Sequence, residues 1–180
     1  MAAGPANGLI PQWGAQPKPL LIDTCVWIEY FNSTSRGARA AEIIDVDDPS
    51  QPRFVHSLCL LELRRAYKAR DEDFDRDLPF LRGRARILED VTLECAITAG
   101  RLKNAVEPYV KRRLKNGDLS TVDCLLLAVA LINEFRVVSG DRAFDVLSKP
   151  DARGLSSEGL EITLPGSERK HISDYVYYLP

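Results

Sequence analysis

The sequence predicts an α/β fold, with three layers, α/β/α, around a central and mainly parallel sheet. Two observations carry this prediction. Short apolar runs alternate along the chain with segments of helical periodicity, a pattern typical of a parallel sheet covered by helices on both faces. The 180 residues are 45% hydrophobic and 28% charged, which is enough apolar material for one principal core.

The sequence of the first half of the chain predicts two strands and three helices. Residues 20–22 form an apolar run that ends at Asp23-Thr24, a pair that favours the start of a helix. Proline and polar residues indicate a turn at 48–52. The predicted strands are 20–22 and 53–56, and the predicted helices are one that begins after Asp23, 35–45 and 57–70.

The second half predicts a buried helix followed by a further strand. Between Val122 and Ile132 the only polar side chain is Asp123, and a helix that is apolar on all sides is buried. A strand at 135–138 then leads into Ser139-Gly140-Asp141 and another helix. The remaining predictions are helices at 74–88, 98–115 and 120–133 and an edge strand at 161–164. We divide the chain into a flexible leader (1–18), one domain (19–165) and a tail (166–180) that is left unassigned.

Composition excludes several classes of protein and of metal site. The sequence has no apolar run long enough to span a membrane, and its first residues do not form a signal peptide, so we expect a cytoplasmic protein. The four scattered cysteines lie among apolar neighbours and are interpreted as reduced core thiols. With only His56 and His171 available, we expect oxygen ligands for any metal, which favours magnesium or manganese.

Basic residues are concentrated in one part of the chain, although the formal net charge is −2. Residues 64–115 contain 14 Lys+Arg and 9 Asp+Glu, a net of +5, and the rest of the chain has a net of −7. Such runs are usually solvated helix faces, and the alternative is a nucleic-acid-binding surface. The candidates for RNA binding are Arg64, Arg65, Lys111, Arg112 and Arg113.

Four acids stand where a parallel sheet would bring them together. Asp23 and Asp141 each follow an apolar strand, and ligands bind at the carboxyl ends of such strands. Glu62 borders an apolar stripe of its helix, and Asp123 has apolar neighbours at helical spacing. Each also has an ordinary structural explanation: Asp23 and Asp141 as helix caps, Glu62 as a solvated residue, and Asp123 as part of a capping box with Ser120. Together they predict a bound divalent cation, because clustered carboxylates repel one another.

The motifs around these acids resemble, in chain order, those of PIN-domain nucleases. The segments are LLIDTCVWIEYF, the Glu of LLELRRAY, STVDCLLLAVAL and VVSGDRAF, and the resemblance is closest to VapC-like toxins. It implies that Asp23, Glu62, Asp123 and Asp141 bind Mg²⁺ or Mn²⁺ and cleave RNA, with the hydroxyls of Thr24 and Ser139 supporting the cluster. It further implies an endoribonuclease that acts as a homodimer and is silenced by a VapB-like antitoxin.

The sequence is also compatible with other functions. A catalytically silent PIN-like scaffold, or an RNA-processing PIN protein without an antitoxin, has the same fold. A phosphoaspartyl enzyme with Asp23 as nucleophile is disfavoured, because Cys25 stands where a second Asp is usual. A nucleotide-binding Rossmann protein is rejected, because no glycine-rich loop follows the first strand. Asp145, one turn after Asp141, is a further outer acid or an ordinary solvated residue.

Overall fold

A five-stranded sheet lies at the centre of the protein, whose computed structural model describes residues 17–32, 35–68, 71–115, 118–149, 161–163 and 169–180. All neighbouring strands are parallel, and their order is β3-β2-β1-β4-β7. The strands are β1 (Leu20–Ile22), β2 (Arg53–His56), β3 (Arg86–Leu88), β4 (Arg136–Ser139) and β7 (Val176–Tyr178). The predicted three-layer α/β/α fold with a parallel sheet is confirmed.

Seven helices among the described residues surround this sheet. The helix α6 is the most buried, with Leu126 to Leu131 all inaccessible or nearly so, as its apolar sequence predicts. No helix in these ranges combines the length and the apolar character that crossing a bilayer requires. The helices are α1 (Thr24–Phe31), α2 (Ser35–Ile44), α3 (Ser57–Tyr67), α4 (Asp71–Arg84), α5 (Leu93–Arg113), α6 (Thr121–Asn133) and α7 (Arg142–Ser148).

The register of the two central strands brings their carboxyl ends to the same level. Ile22 of β1 is paired with Val138 of β4, and the backbone N–H of Asp23 donates to the Val138 carbonyl at 3.0 Å. The helices α1 and α7 begin directly after these strands. Asp23 and Asp141 therefore lie on one edge of the sheet, as predicted.

Several predicted boundaries are wrong, and the largest error concerns 74–88. The helix α4 ends at Arg84, and Arg86–Leu88 form β3, the edge strand paired with β2. Three residues are too few to show strand alternation, so the pairing with β2 overrides the local signal. The helix predicted at 98–115 begins earlier, because Thr92 caps it through a hydrogen bond from the Cys95 N–H.

Smaller differences concern the ends of three other elements. The helix predicted at 57–70 ends at Tyr67, where Lys68 has a positive φ of 54°. The strand predicted at 135–138 covers Arg136–Ser139. The strand at 161–164 appears as β5 (Glu161–Thr163), but it pairs antiparallel with β6 (Arg169–His171) rather than with the central sheet. Residues 69 and 70 of the predicted helix and residue 164 of the predicted strand lie outside the described residues.

The end of the chain contributes the outer strand of the central sheet. A 3-10 helix, Ile172–Tyr175, leads into β7, which pairs with β4 from Val137↔Val176 to Ser139↔Tyr178. The local sequence pattern predicts no element for this segment. Of the predicted leader, residues 1–16 lie outside the described residues, while Lys18 forms an ion pair with Glu134.

Candidate active site

Asp23 is the most constrained of the four predicted acids. It follows β1, caps α1 by accepting the Thr24 N–H at 2.6 Å, and has only 6% of its surface exposed. Its other oxygen accepts the Ser139 hydroxyl at 2.7 Å and the Cys25 thiol at 3.1 Å. Burial raises the pKa of Asp23, and the negative charge of Glu62 raises it further.

Glu62 is joined to Asp23 through Thr24, the first residue of α1. The Thr24 hydroxyl donates to Glu62 Oε2 at 2.8 Å, and the same hydroxyl lies 3.4 Å from the Cys59 carbonyl oxygen. Glu62 is half-buried on α3 rather than fully in solvent. Thr24, whose hydroxyl the resemblance assigned to supporting the cluster, therefore contacts two of the acids: Glu62 through this hydroxyl and Asp23 through its backbone N–H.

Asp123 lies in the first turn of α6 and forms the capping box that the sequence allowed. Its carboxylate accepts the Ser120 N–H at 2.7 Å, and its own N–H donates to the Ser120 hydroxyl at 3.0 Å. Burial raises the pKa of Asp123 to about 6, with further contributions from the charges of Asp23 and Asp141. The capping role and the position beside the other acids are thus compatible.

Asp141 follows β4 and begins α7. Its side chain is exposed and accepts the Ala143 N–H at 2.7 Å, so Asp141 is the N-cap of α7, as the sequence allows. Its own N–H donates to the Ser139 hydroxyl at 3.1 Å. Because that hydroxyl also donates to Asp23, the buried Ser139 connects the acids at the ends of β1 and β4.

Cys25 belongs to this site, although the sequence analysis interpreted it as a core thiol. Its sulfur donates to Asp23 and accepts the Gly140 N–H at 3.1 Å, while the other three cysteines are buried. Burial and the Asp23 charge raise the pKa of Cys25, so it remains a neutral thiol able to donate. Its position two residues after Asp23, in the first turn of α1, was the available signal.

The four acids form one electrostatic neighbourhood at the carboxyl edge of the sheet. The charge of Glu62 raises the pKa of Asp23, and the charges of Asp23 and Asp141 raise the pKa of Asp123. Across the described ranges, no three His, Cys, Asp or Glu side chains are already arranged to hold one metal ion. The donors are nevertheless chemically suited to a hard cation, since they are carboxylate and hydroxyl oxygens, and the raised pKa values of Asp23 and Asp123 reflect burial and repulsion by neighbouring acids.

The basic candidates on α3 lie close to Glu62 in sequence and differ in exposure. Arg65 is exposed and three residues from Glu62, which places it on a neighbouring part of the same helix face. Arg64 is half-buried, donates to the Lys68 carbonyl at 3.1 Å, and lies 5.5 Å from the centre of the Phe74 ring. Arg65 is therefore the better placed of the two for contact with a ligand.

The basic candidates on α5 occupy its last turn and are exposed. Lys111 forms an ion pair with Glu107 at 3.1 Å, and the Arg113 guanidinium lies 3.8 Å from the centre of the Tyr109 ring. These contacts are within the helix itself, so binding of RNA by Lys111, Arg112 and Arg113 stays a prediction.

Asp145 forms an ion pair with Lys149 at 2.5 Å, which favours a structural role for this acid.

Comparisons with known proteins agree with this architecture. A family model described as PIN domain matches residues 20–150. The fold is similar to a toxin–antitoxin complex from Klebsiella pneumoniae, with 14% identity over 69% of this chain and 89% of that chain and a TM-score of 0.51. It is also similar to VapBC2 from Rickettsia felis bound to a DNA fragment from their promoter (16% identity, 70% and 90% covered, TM-score 0.51).

A third similar structure is DNA-bound VapBC from Salmonella typhimurium, with 19% identity, 71% and 91% covered and a TM-score of 0.50. Identities this low show similarity of fold. A search of curated protein sequences finds no significant match.

Proposed function

The chain belongs to the PIN domain family, and on that basis we propose that it is a metal-dependent endoribonuclease that hydrolyses RNA phosphodiester bonds. The observation that supports the proposal is the set of contacts among the four acids: Thr24 contacts Asp23 and Glu62, Ser139 contacts Asp23 and Asp141, and the charges of Asp23 and Asp141 help to raise the pKa of Asp123. Carboxylates in such a position are stabilised by a cation.

In this proposal the four acids hold Mg²⁺ or Mn²⁺. A divalent ion, when bound, supplies Lewis-acid stabilisation of the charge that develops on the phosphate during hydrolysis. The chain contributes the positions of the ligands. Ser139 and Cys25 orient one oxygen of Asp23, and Thr24 orients Glu62. Groups that orient metal ligands in this way are typically worth about 10- to 100-fold in metal affinity or activity.

Binding of the substrate is assigned to the basic residues of α3 and α5. Arg65 is exposed on the helix that carries Glu62, and it would contact the phosphate next to the one that is cut. Arg64 on α3 and Lys111, Arg112 and Arg113 at the end of α5 would contact the backbone further away. Contacts of this kind position a nucleic acid without reading its sequence.

We further propose that the protein is the VapC-like toxin of a toxin–antitoxin pair, with a VapB-like antitoxin, a homodimeric state and a cytoplasmic location. Support comes from the titles of the similar structures, which describe a toxin–antitoxin complex and two VapBC complexes. Expression of the chain alone should arrest growth, and co-expression of a small protein from the adjacent gene should relieve the arrest. Cleavage that no such protein inhibits would favour an RNA-processing role instead.

The direct test compares Asp23→Asn and Asp123→Asn with the wild type. Each variant should lose at least about 100-fold in the Mn²⁺-dependent cleavage of a fluorescent single-stranded RNA, because a ligand matters at least as much as the groups that orient it. Asp75→Asn, at an exposed acid of α4, is the control and should cleave normally. Circular dichroism checks that all variants remain folded.

Full activity in either variant would remove that residue from the mechanism. A wild-type chain that is folded, binds Mn²⁺ and cleaves no RNA would instead support a catalytically silent PIN-like scaffold.

A further inference from the structure

The main chain directly after β7 contacts the turn that connects two of the acids. The Leu179 N–H donates to the Ser139 carbonyl at 2.8 Å, and the Leu179 carbonyl oxygen lies 3.6 Å from the place that a Cβ on Gly140 would occupy. We propose that Leu179 is a positioning residue whose main chain fixes the turn at 139–141 and, through it, Asp23 and Asp141. This inference rests on the proposed function.

A displacement of the turn would affect two acids at once, because the Ser139 side chain forms hydrogen bonds with both Asp23 and Asp141. The Ser139 hydroxyl donates to Asp23 at 2.7 Å and accepts the Asp141 N–H at 3.1 Å. Gly140 is held in turn by its N–H bond to Cys25. Hydrogen bonds weaken steeply with distance and angle, so a shift of about 1 Å in Ser139 would loosen both acids and cost about 100-fold in rate.

The β7 segment, defined as residues 176–180, is well placed to prevent such a shift. It is paired with β4 as far as Ser139↔Tyr178, and the Leu179 side chain is buried. At its outer end the Arg39 side chain donates to the Pro180 carbonyl at 3.0 Å. The segment supplies none of the four acids and lies outside the stretch that the family model matches.

A second anchor precedes the segment at the opposite edge of the sheet. The Tyr175 hydroxyl donates to the Glu134 carboxylate at 2.9 and 3.0 Å, and the Arg136 guanidinium donates to the Asp174 carbonyl at 3.3 Å. Because this anchor lies away from the acids, its loss should loosen the segment at that end without moving Ser139. It therefore provides the control for the experiment.

The experiment compares Leu179→Pro with Leu179→Ala in the full chain. Both variants lose the buried leucine side chain, but only the proline variant loses the N–H that donates to Ser139. Tyr178, the residue before it, is already in a strand, which is the conformation that a following proline requires. Tyr175→Phe is the control at the far end of the segment.

We expect Leu179→Pro to lose about 10- to 100-fold in kcat and in Mn²⁺ affinity relative to Leu179→Ala, the range found when support for a metal ligand is removed. KM for RNA should be unchanged, because the assigned backbone contacts are on α3 and α5. Amide exchange at Gly140 and Asp141, measured by NMR, should be at least about 10-fold faster in the proline variant. Tyr175→Phe should lower thermal stability and leave kcat and Mn²⁺ affinity unchanged.

Equal kcat, Mn²⁺ affinity and exchange rates in the two Leu179 variants would overturn the inference. If Leu179→Pro does not fold, Arg39→Ala releases the Pro180 carbonyl and should change kcat by a factor of about 2 to 10, as for one hydrogen bond, with recovery in Arg39→Lys. Unchanged kcat in Arg39→Ala would then overturn it. A wild-type chain without nuclease activity contradicts the proposed function, whereas the exchange rates still test whether Leu179 positions the turn.

Discussion

The pKa values of carboxylates are shifted in opposite directions at the two ends of the parallel strands, which we call the amino edge and the carboxyl edge of the sheet. At the amino edge, before β1 and β4, Glu134 accepts hydrogen bonds from Lys18, Lys170 and Tyr175, and these contacts lower its pKa to about 2. At the carboxyl edge, burial together with the charges of Asp23 and Asp141 raises the pKa of Asp123 to about 6. Among the described residues, lysine side chains pair with the carboxylate at the amino edge, whereas no ion pair is seen for the four acids at the carboxyl edge.

The opposite pKa shifts indicate different roles for the two edges. Glu134 with its lysines ties together the start of β1, the end of α6 and the segment before β7, so it is a structural element. The acids at the other edge are held by hydroxyl, thiol and backbone N–H donors that fix their positions without cancelling their charge. In the proposed function, a bound divalent cation would supply the compensating charge at this edge.

The largest effect on stability is expected at the compensated edge. Glu134→Gln removes the negative charge that pairs with Lys170, whose side chain is 6% exposed. We expect a loss of about 2–3 kcal/mol in the free energy of unfolding, less than the roughly 3–5 kcal/mol for a fully buried pair, because Glu134 is 53% exposed. Urea unfolding measures this change. RNA cleavage per folded molecule should not change, and a drop in kcat would show that the two edges are coupled.

At the carboxyl edge, replacing an acid by its amide should raise the stability of the metal-free protein, whereas the same kind of substitution at Glu134 lowers it. The pKa of Asp123 in the folded protein, about 6, lies above its ordinary value of 3.8, so the metal-free wild type loses stability as the pH rises from about 4 to 6. Asp123→Asn cannot ionise and keeps an oxygen for the Ser120 N–H. At pH 7 it should be more stable than the wild type by about 1–3 kcal/mol.

Thermal unfolding in EDTA between pH 4 and pH 8 tests this, with the difference between the two proteins isolating Asp123. A variant that is less stable than the wild type at pH 7 would show that the carboxylate is already compensated.

The smallest effect on stability is expected at Thr24, where the hydroxyl donates to Glu62 at 2.8 Å. Thr24→Val keeps the shape of the side chain and removes this bond, at a cost of about 1 kcal/mol or less in stability. Mn²⁺-dependent cleavage should fall by about 10-fold or more, whereas Thr24→Ser should retain most of it. Equal rates in the valine and serine variants would remove Thr24 from the group that orients the acids.

The sequence was most informative where local pattern and tertiary position agree. The apolar run before Asp23 and the one before Ser139-Gly140-Asp141 identify both strands and the edge at which they end, since side chains after parallel strands share one rim. Asp123 was noticeable because it interrupts an otherwise apolar helix. Its capping-box geometry was equally predictable from Ser120.

The rest depended on pairing between distant segments, which a local pattern does not contain. Three-residue strands such as β3 and β7 are stabilised by neighbours far away in the chain, so their own composition identifies neither. Cys25 was assigned to the core by its apolar neighbours. Its contacts with Asp23 and Gly140 arise only when β1 and β4 lie side by side.

Mn²⁺ binding at pH 7, measured by electron paramagnetic resonance on the metal-free protein, tests the central claim most directly. The account predicts that the wild type binds Mn²⁺ at the carboxyl edge, that Asp23→Asn weakens this binding by at least about 100-fold, and that Glu134→Gln leaves it unchanged. A wild type that binds no Mn²⁺, or an Asp23→Asn variant that binds Mn²⁺ as tightly as the wild type, would contradict the claim that these acids form a binding site for a divalent cation.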